Sequence, residues 1–257
     1  RDLGLAGVDE PFPHYLAQGM VTKDGSAMSK SRGNVVDPDD MIQAYGSDTL
    51  RIFILFASPP EKEFAWNEKG VEGAYRFLNR IWAFFQENKE LFSSDVKFSS
   101  GGEAASGDEA GRRVMTKMHQ TIRKVGVDIG QRYHLNTAIS SIMEFYNQLR
   151  DDRDVLMTQE SGRKILKEAI EALVKLLSPF APHISEEIWE LMGYSDYLVF
   201  SPWPDFDPGL AVEDIFTVVV QVNGKLRDRL EVERGTAEGD IKAMALVSPR
   251  VQAAIGG

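Results

Sequence analysis

The sequence has no cysteine, and its 257 residues include only four histidines. Disulfide bonds and thiolate metal sites are therefore excluded, which suits a reducing compartment such as the cytosol. The histidines His14, His119, His134 and His183 are far apart, and they form neither a His-x-x-x-His nor a His-Glu-x-x-His pair. We therefore expect no metal site in this chain.

Long apolar runs are also missing. No stretch approaches the roughly 20 apolar residues that a membrane-spanning helix needs. The first ten residues have neither the basic start nor the apolar segment of a signal peptide. We therefore expect a cytoplasmic protein that does not contact membranes. The chain begins with Arg1 instead of methionine, which indicates a piece of a longer polypeptide.

Positive charge is in the minority, because 29 lysines and arginines face 39 aspartates and glutamates, and the formal net charge is −10. A balance this acidic argues against nucleic-acid binding over the whole surface. Only local clusters of cations could bind a phosphate backbone. Hydrophobic residues make up 43% of the chain and charged residues 26%, which is typical of a folded globular protein.

The N-terminal quarter mixes strand and helix signals. Leu16–Thr22 is predicted to form a strand and residues 23–36 a loop. A short helix follows, with Asp37 as its N-cap, a proline at its first position and Gly46 just past its end. Ser47 is the predicted N-cap of a second helix.

Residues 67–194 carry apolar side chains at helical spacing. The predicted helices cover roughly residues 71–85, 112–129, 135–149, 165–177 and 182–192. The stretch Phe92–Gly111 is rich in serine, glycine and alanine, so we expect a surface linker there. Amphipathic helices joined by short loops form a helical bundle.

After a proline-rich connector at 195–211 the apolar period changes to two. Phe216–Val222 and Leu226–Val232 are predicted strands, and the Asn-Gly pair at 223–224 between them is a strong hairpin signal. Thr236 is the predicted N-cap of a following helix. The expected fold is mainly α, with an antiparallel helical bundle flanked by a partial α/β segment and a small C-terminal α/β domain.

The residues with a chemical pattern lie in the predicted loop, which reads Thr-Lys-Asp-Gly-Ser-Ala-Met-Ser-Lys-Ser-Arg-Gly-Asn over 22–34. Two glycines permit unusual backbone angles, and Lys23, Lys30 and Arg32 place cations just before a helix. Such a loop could stabilise a phosphoryl transition state electrostatically. The composition alone is explained more simply by a solvated basic turn.

The segment Met28–Ser31 resembles the second signature motif of class I aminoacyl-tRNA synthetases, usually Lys-Met-Ser-Lys-Ser. Ala27 departs from that pattern, because the family usually has lysine there. Further stretches in the same order resemble the leucyl-tRNA synthetase family, so the likeness covers nearly the whole chain and outweighs the solvated turn. These stretches are 32–38, 45–51, 57–62, 77–80, 180–187 and 220–227.

The resemblance implies a two-step reaction in which leucine and ATP form leucyl-adenylate and the leucyl group then passes to tRNA(Leu). It implies that Lys30, with Ser29 and Ser31, is catalytic, and that Met28, Lys30, Arg32 and Gly33 bind ATP, whose phosphates carry Mg. The resemblance also implies that the pockets for leucine and for the adenine of ATP lie in a preceding N-terminal part of the protein. The expected enzyme is a monomer with a bundle of the class I anticodon-binding type.

Two clusters of cations are candidates for tRNA contact. Residues 112–132 hold six cations and one acid, and on a helical wheel some of them form a basic stripe opposite the apolar face. In the second predicted strand of the hairpin the cations alternate, so they are expected to share one face. The candidates are Arg113, Lys117, Lys124, Lys225, Arg227 and Arg229. A solvated helix face and a charge-protected edge strand are the alternatives.

Three domains follow from these patterns: 1–66, the end of a catalytic domain with the Met-Ser-Lys-Ser loop; 67–200, a helical tRNA-binding bundle; and 212–257, an incomplete C-terminal tRNA-binding domain. A fragment of an isoleucyl, valyl or methionyl enzyme is the nearest alternative. A non-catalytic RNA-binding module is the other, and the Lys30 loop argues against it.

Overall fold

The computed structural model describes residues 3–5, 7–8, 12, 15–93, 109–212, 215–233 and 236–255. The chain divides into two compact units, Arg1–Phe206 and Asp207–Gly257. The first unit contains the loop and the helical bundle, and the second contains the hairpin with its two helices. The mainly α fold class is confirmed.

A small three-stranded sheet supports the loop. Strand β1 (Val21–Lys23) pairs antiparallel with β2 (Ser26–Ala27) and parallel with β3 (Phe64–Ala65). The strand predicted at Leu16–Thr22 therefore begins late, because only residues from Val21 onward have a pairing partner. Residues predicted as loop form β2 instead, after a tight turn in which Asp24 and Gly25 both have positive φ.

Helices α1 (Pro38–Tyr45) and α2 (Ser47–Ala57) follow the loop. The predicted cap of α1 is confirmed, because the Asp37 carboxylate accepts a hydrogen bond from Asp39 N at 3.0 Å. Helix α2 forms as predicted, but its predicted N-cap, Ser47, is wrong, because Gly46, with φ of 85°, occupies that position. The Ser47 hydroxyl lies 3.3 Å from Nδ1 of His183, a tertiary partner that local sequence rules do not reveal.

Five helices build the bundle. They are α3 (Glu68–Asn88), α4 (Glu109–Val127), α5 (Leu135–Leu156), α6 (Glu160–Leu177) and α7 (Pro182–Leu191). A π-helical segment, Asp128–Arg132, extends α4. The predicted linker Phe92–Gly111 ends too late, because residues 109–111 already belong to α4, where Ala110 and Gly111 are buried. Its central part lies outside the described residues.

The core of the first unit is continuous from α2 to α7. Phe77, Phe85, Phe145 and Phe180 are almost fully buried. The Tyr146 ring packs edge-on against Phe77 and also against Phe84, at centroid distances of 6.0 and 5.6 Å. Apolar burial of this extent is the main term that stabilises such a bundle, and it fixes the loop-bearing helices on the same core.

The second unit is a hairpin with two helices. Strands β4 (Ile215–Val222) and β5 (Lys225–Glu233) pair antiparallel around the predicted turn, where Asn223 and Gly224 have φ of 53° and 75°. Helices α8 (Glu238–Val247) and α9 (Pro249–Ile255) contact β5. Thr236 was the expected N-cap of α8, but Ala237 occupies that position.

Candidate functional site

The tip of the loop is a short 3-10 turn, Lys30–Arg32. Gly33 ends the turn in the left-handed region with φ of 66°, and its N–H donates to the Lys30 carbonyl at 3.2 Å. Glycine adopts this conformation without the steric cost of a Cβ atom. The hydroxyl oxygens of Ser29 and Ser31 lie 2.8 Å apart, so the two serines are coupled across the turn.

Asn34 holds the base of the loop closed. Its Oδ1 accepts from the Ser29 N–H at 2.8 Å, and its Nδ2 lies 3.3 Å from the carbonyl oxygens of Lys23 and Ala27 and 3.2 Å from Ser26 Oγ. One amide therefore joins β1, β2 and the start of the 3-10 turn. Asn34 is not among the site residues predicted from the sequence. Its position one residue after Gly33 was the available signal, since asparagine often bonds nearby backbone.

The cations at the tip are available to a ligand. The side chains of Lys30 and Arg32 are exposed, and neither forms a hydrogen bond or ion pair with another described residue. Met28 and Ser29 are half-buried. A lysine on a flexible stem and a planar guanidinium can both bind phosphate oxygens. The loop thus combines a braced backbone with two free positive charges.

The predicted basic stripe on α4 is largely neutralised by acids. Arg113 lies 2.6 Å from Asp152 and 2.8 Å from Glu109, and its hydrogen bond to Asp152 raises the pKa of the guanidinium. Lys117 and Lys124 each have a carboxylate oxygen at 2.6 Å, from Glu144 and Asp128 respectively. Three of these four acids lie outside the sequence window 112–132 that suggested a strong charge imbalance.

Asp128 is the buried member of this set, with 1% of its side chain exposed. Burial alone would raise the pKa of its carboxyl, but hydrogen bonds from Lys124 and Thr137, both at 2.6 Å, hold that pKa below its usual value. A lowered pKa in the folded state stabilises the fold above the unfolded pKa, and the stabilisation is lost as pH falls through the folded pKa.

We expect Asp128→Asn to lower the free energy of unfolding by about 1–3 kcal/mol at neutral pH, because a buried charge-assisted pair is lost. The difference from the wild type should shrink below about pH 4, where the carboxyl is protonated in the unfolded chain. Urea unfolding at several pH values measures both effects.

Glu144→Gln is the matched control for Asp128→Asn. It removes an ion pair of the same 2.6 Å length, but the Glu144 side chain is 64% exposed. Exposed pairs contribute less than about 1 kcal/mol. Equal destabilisation by both substitutions would contradict the special role of the buried carboxylate.

A surface hollow of about 390 Å³ lies between α4 and α5 along the stripe. Arg123 lines it beside Lys117 and Lys124. Arg123 is exposed and forms no ion pair or hydrogen bond with the described residues, and the same holds for Arg112 and Arg132. The structure therefore separates the stripe into paired cations, which were the predicted contacts, and free arginines.

The cations of β5 do not share one face. The strand register shifts between Val220 and Gln221, so that Val220 lies opposite Asp228 but Gln221 lies opposite Leu226. Arg227 thus has no partner residue in β4, as expected of a β-bulge. The single-face prediction for Lys225, Arg227 and Arg229 is wrong, because the extra residue interrupts the alternation.

Lys225 and Arg229 lie on opposite faces of the hairpin. Lys225 lies opposite Val222 and Arg229 lies opposite Val219, and these two β4 residues point to opposite faces. Leu226, beside the bulge, is 51% exposed. All three cations of β5 are nevertheless exposed.

The described residues contain neither a metal-binding cluster nor a membrane-spanning helix. Among them, no three or more histidine, aspartate or glutamate side chains are grouped so that they could hold a metal ion. None of the described helices combines the length and apolarity needed to span a membrane.

Two known sequence families match this chain. Residues 4–67 match the sequence model described as tRNA synthetases class I (I, L, M and V), and residues 111–242 match the anticodon-binding domain of tRNA ligase. The second match covers just over half of the chain and extends from α4 into α8.

Individual relatives are similar over nearly the whole chain. Leucine–tRNA ligase of Nitratidesulfovibrio vulgaris is 46% identical over 251 residues, covering 98% of this chain and 30% of the relative. That of Syntrophobacter fumaroxidans is 48% identical over 264 residues, covering 100% and 31%. The chain therefore spans about a third of the length of these curated relatives.

Solved structures of tRNA synthetases are also similar to this chain. The chain is similar to LeuRS of Agrobacterium radiobacter K84 in a ternary complex with tRNA and LeuAMS, with a TM-score of 0.79 and 32% identity over 99% of this chain and 32% of that one. Methionyl-tRNA synthetase of Mycobacterium tuberculosis shares the fold, with a TM-score of 0.55 and 18% identity over 70% of this chain and 38% of that one. Together with the bundle and the Met28–Ser31 loop, these matches show that the chain belongs to the tRNA ligase family that carries this anticodon-binding domain.

Proposed function

We propose that this chain is the loop-bearing and tRNA-binding part of a leucine–tRNA ligase, which activates leucine with ATP and transfers it to tRNA(Leu). The observation that carries the proposal is the free Lys30 at the tip of a loop braced by Asn34, in a chain that is 43–48% identical to several bacterial leucine–tRNA ligases. The remaining substrate contacts belong to parts of the ligase outside this chain.

In this function Lys30 and Arg32 bind the ATP phosphates, and Ser29 and Ser31 orient the turn through their mutual hydrogen bond. During adenylate formation the leucine carboxylate bonds to the α-phosphorus of ATP as the bond from that phosphorus to the bridging oxygen breaks, so negative charge builds up on the leaving pyrophosphate. A flexible ammonium can follow that charge, which is how a positioned cation lowers a barrier. ATP brings its own Mg²⁺, and the chain's residues bind the phosphates. The ligase is proposed to be a cytoplasmic monomer.

The test is substrate-dependent exchange by the full-length protein. Pyrophosphate exchange into ATP is expected with leucine, and not with isoleucine, valine or methionine at equal concentration. Charging is expected with tRNA(Leu) alone among the corresponding tRNAs. Exchange that depends on one of the other three amino acids would replace the leucyl assignment with that of the related enzyme.

For tRNA binding we propose that Arg123, the free arginine of the α4–α5 hollow, and the exposed cations of β5 contact phosphates. Arg113, Lys117 and Lys124 can take part only if their ion pairs to α5 and to neighbouring acids exchange for phosphate. Arg123 has no such partner to give up, so its contact with phosphate releases counterions without breaking a protein bond.

We expect Arg123→Glu in the full-length protein to weaken tRNA(Leu) binding about tenfold at 0.1 M salt and to reduce the slope of log K against log salt by about 1. Filter binding over a salt series measures both quantities. Lys164→Glu, an exposed position on α6 without a partner among the described residues, is the control and should change neither. An unchanged slope for Arg123→Glu would remove Arg123 from the interface.

A further inference from the structure

Helix α2 holds both ends of the turn between α6 and α7. Arg51 donates from Nη2 to the Pro179 carbonyl at 2.9 Å and from Nε to the Phe180 carbonyl at 3.2 Å. One helical turn earlier, the Asp48 carboxylate accepts from the Ile184 N–H at 2.8 Å and from the His183 N–H at 3.4 Å. The guanidinium of α2 therefore contacts the segment just after the C-terminal end of α6, and the carboxylate of α2 contacts the N-terminal end of α7.

The turn between the helices needs these outside partners. The N-cap position of α7 is Ala181, which has no side-chain acceptor, and Pro182 at its first position has no N–H. The N–H groups of the first turn of α7 are left without the usual cap, and Asp48 supplies it from another helix. A carboxylate at a helix N-terminus and a guanidinium at a C-terminus both match the helix dipole.

The Asp48 contact is also well enclosed. Its carboxylate is 10% exposed, and its Oδ1 lies 2.8 Å from Nδ1 of His183 as well. Charge-assisted hydrogen bonds in a sheltered site are short and directional, so this contact fixes position as well as adding stability. Hydrogen bonds at four points of one turn leave little freedom for α2 to slide on the bundle.

The same helix leads directly to the loop. Asn34, which braces the Lys30 turn, is three residues before Asp37 at the start of α1, and only Gly46 separates α1 from α2. The Asn34 contacts that brace the loop all lie within residues 23–34. Strand β3 also joins the loop to the core, because it pairs with β1 and its Phe64 packs against the core. The hydrogen bonds of Asp48 and Arg51 lie outside the loop, so the local order of the Lys30 turn and the fit of α2 to the α6–α7 turn depend on different residues.

We propose that Asp48 and Arg51 are positioning residues that set the tRNA-binding bundle in register with the Lys30 loop. The proposal rests on the proposed function. A tRNA held on the bundle must bring its acceptor end to the adenylate, and a displacement of about 1 Å can cost up to 100-fold in rate. Adenylate formation needs only ATP and leucine and no tRNA held on the bundle. It therefore does not depend on the register between the bundle and the Lys30 loop.

The experiment compares the two half-reactions of the full-length protein. Asp48→Asn keeps the shape of the side chain but removes its charge, and we expect kcat/KM for tRNA leucylation to fall about tenfold or more. Leucine-dependent pyrophosphate exchange should stay within about twofold of the wild type. Arg76→Ala, which breaks an exposed ion pair with Glu72 on α3, is the control and should alter neither half-reaction.

A purely structural role would lower both half-reactions together, and that parallel loss would overturn the proposal, as would unchanged leucylation. If Asp48→Asn does not fold, Arg51→Lys serves instead. It keeps the cation but can reach only one of the two carbonyls, so the same split is expected at about threefold. Wild-type exchange that does not depend on leucine would refute the proposed function, whereas a missing split refutes only the positioning role.

Discussion

Replacing Lys30 with alanine is expected to slow leucine-dependent pyrophosphate exchange by about 100- to 1000-fold, the usual cost of removing one preorganised electrostatic contact to a transition state. The Lys30 side chain is exposed and has no partner among the described residues. Its loss should therefore leave the folded chain intact, and the melting temperature of Lys30→Ala should match the wild type.

Two comparisons separate a specific contact between Lys30 and phosphate from a general effect of surface charge. Lys69→Ala removes an exposed lysine at the start of α3 and should leave exchange unchanged. Transfer of leucine from preformed adenylate to tRNA should be slowed less than exchange, because pyrophosphate has then left. Equal losses in exchange and transfer, or exchange at the wild-type rate, would show that Lys30 does not stabilise the phosphoryl transition state.

The helices could be predicted from sequence wherever their signals are local. Asp37 caps α1 as predicted because its acceptor and the Asp39 N–H are two residues apart. Ser47 fits the same local rule, yet its hydroxyl lies against His183, 136 residues away. At α8, Ala237 occupies the N-cap position predicted for Thr236. Capping rules rank residues for a position, but tertiary contacts decide which residue occupies it.

The sequence names the residues of the candidate loop, but it does not predict the hydrogen bonds that hold the loop in place. Lys30 and its neighbours follow from the motif, whereas the bracing by Asn34 depends on β1 and β2 lying side by side. The charge of α4 was overestimated because Glu144 and Asp152 come from α5. A window along the chain counts sequence neighbours, while electrostatics depends on neighbours in space.

The register of the hairpin strands also could not be predicted from the pattern of residues. Strict alternation along β5 predicts one face for Lys225 and Arg229, but the bulge at Arg227 changes the face midway. Leu226, beside the bulge, is exposed. A bulge adds one residue to one strand, and nothing in a two-residue repeat marks where that happens.

Asn34→Ala is expected to reduce the maximal rate of leucine-dependent exchange by about 10- to 100-fold, although Asn34 touches no phosphate-binding side chain directly. The substitution removes the bond to the Ser29 N–H and the contacts to the carbonyls of Lys23 and Ala27. The turn that presents Lys30 would then sample open conformations, and only a fraction of molecules would hold the ammonium in place.

Two measurements test the bracing by Asn34, and one of them is independent of any activity. Trypsin cleaves after lysine and arginine, so a loosened loop in Asn34→Ala should be cut after Lys30 or Arg32 several-fold faster than in the wild type, in proportion to the open population. Asn34→Asp keeps an acceptor for Ser29 but places a carboxylate beside two carbonyl oxygens, so it should lose as much as alanine. Full activity and slow cleavage in Asn34→Asp would mean that the Ser29 bond alone orders the turn.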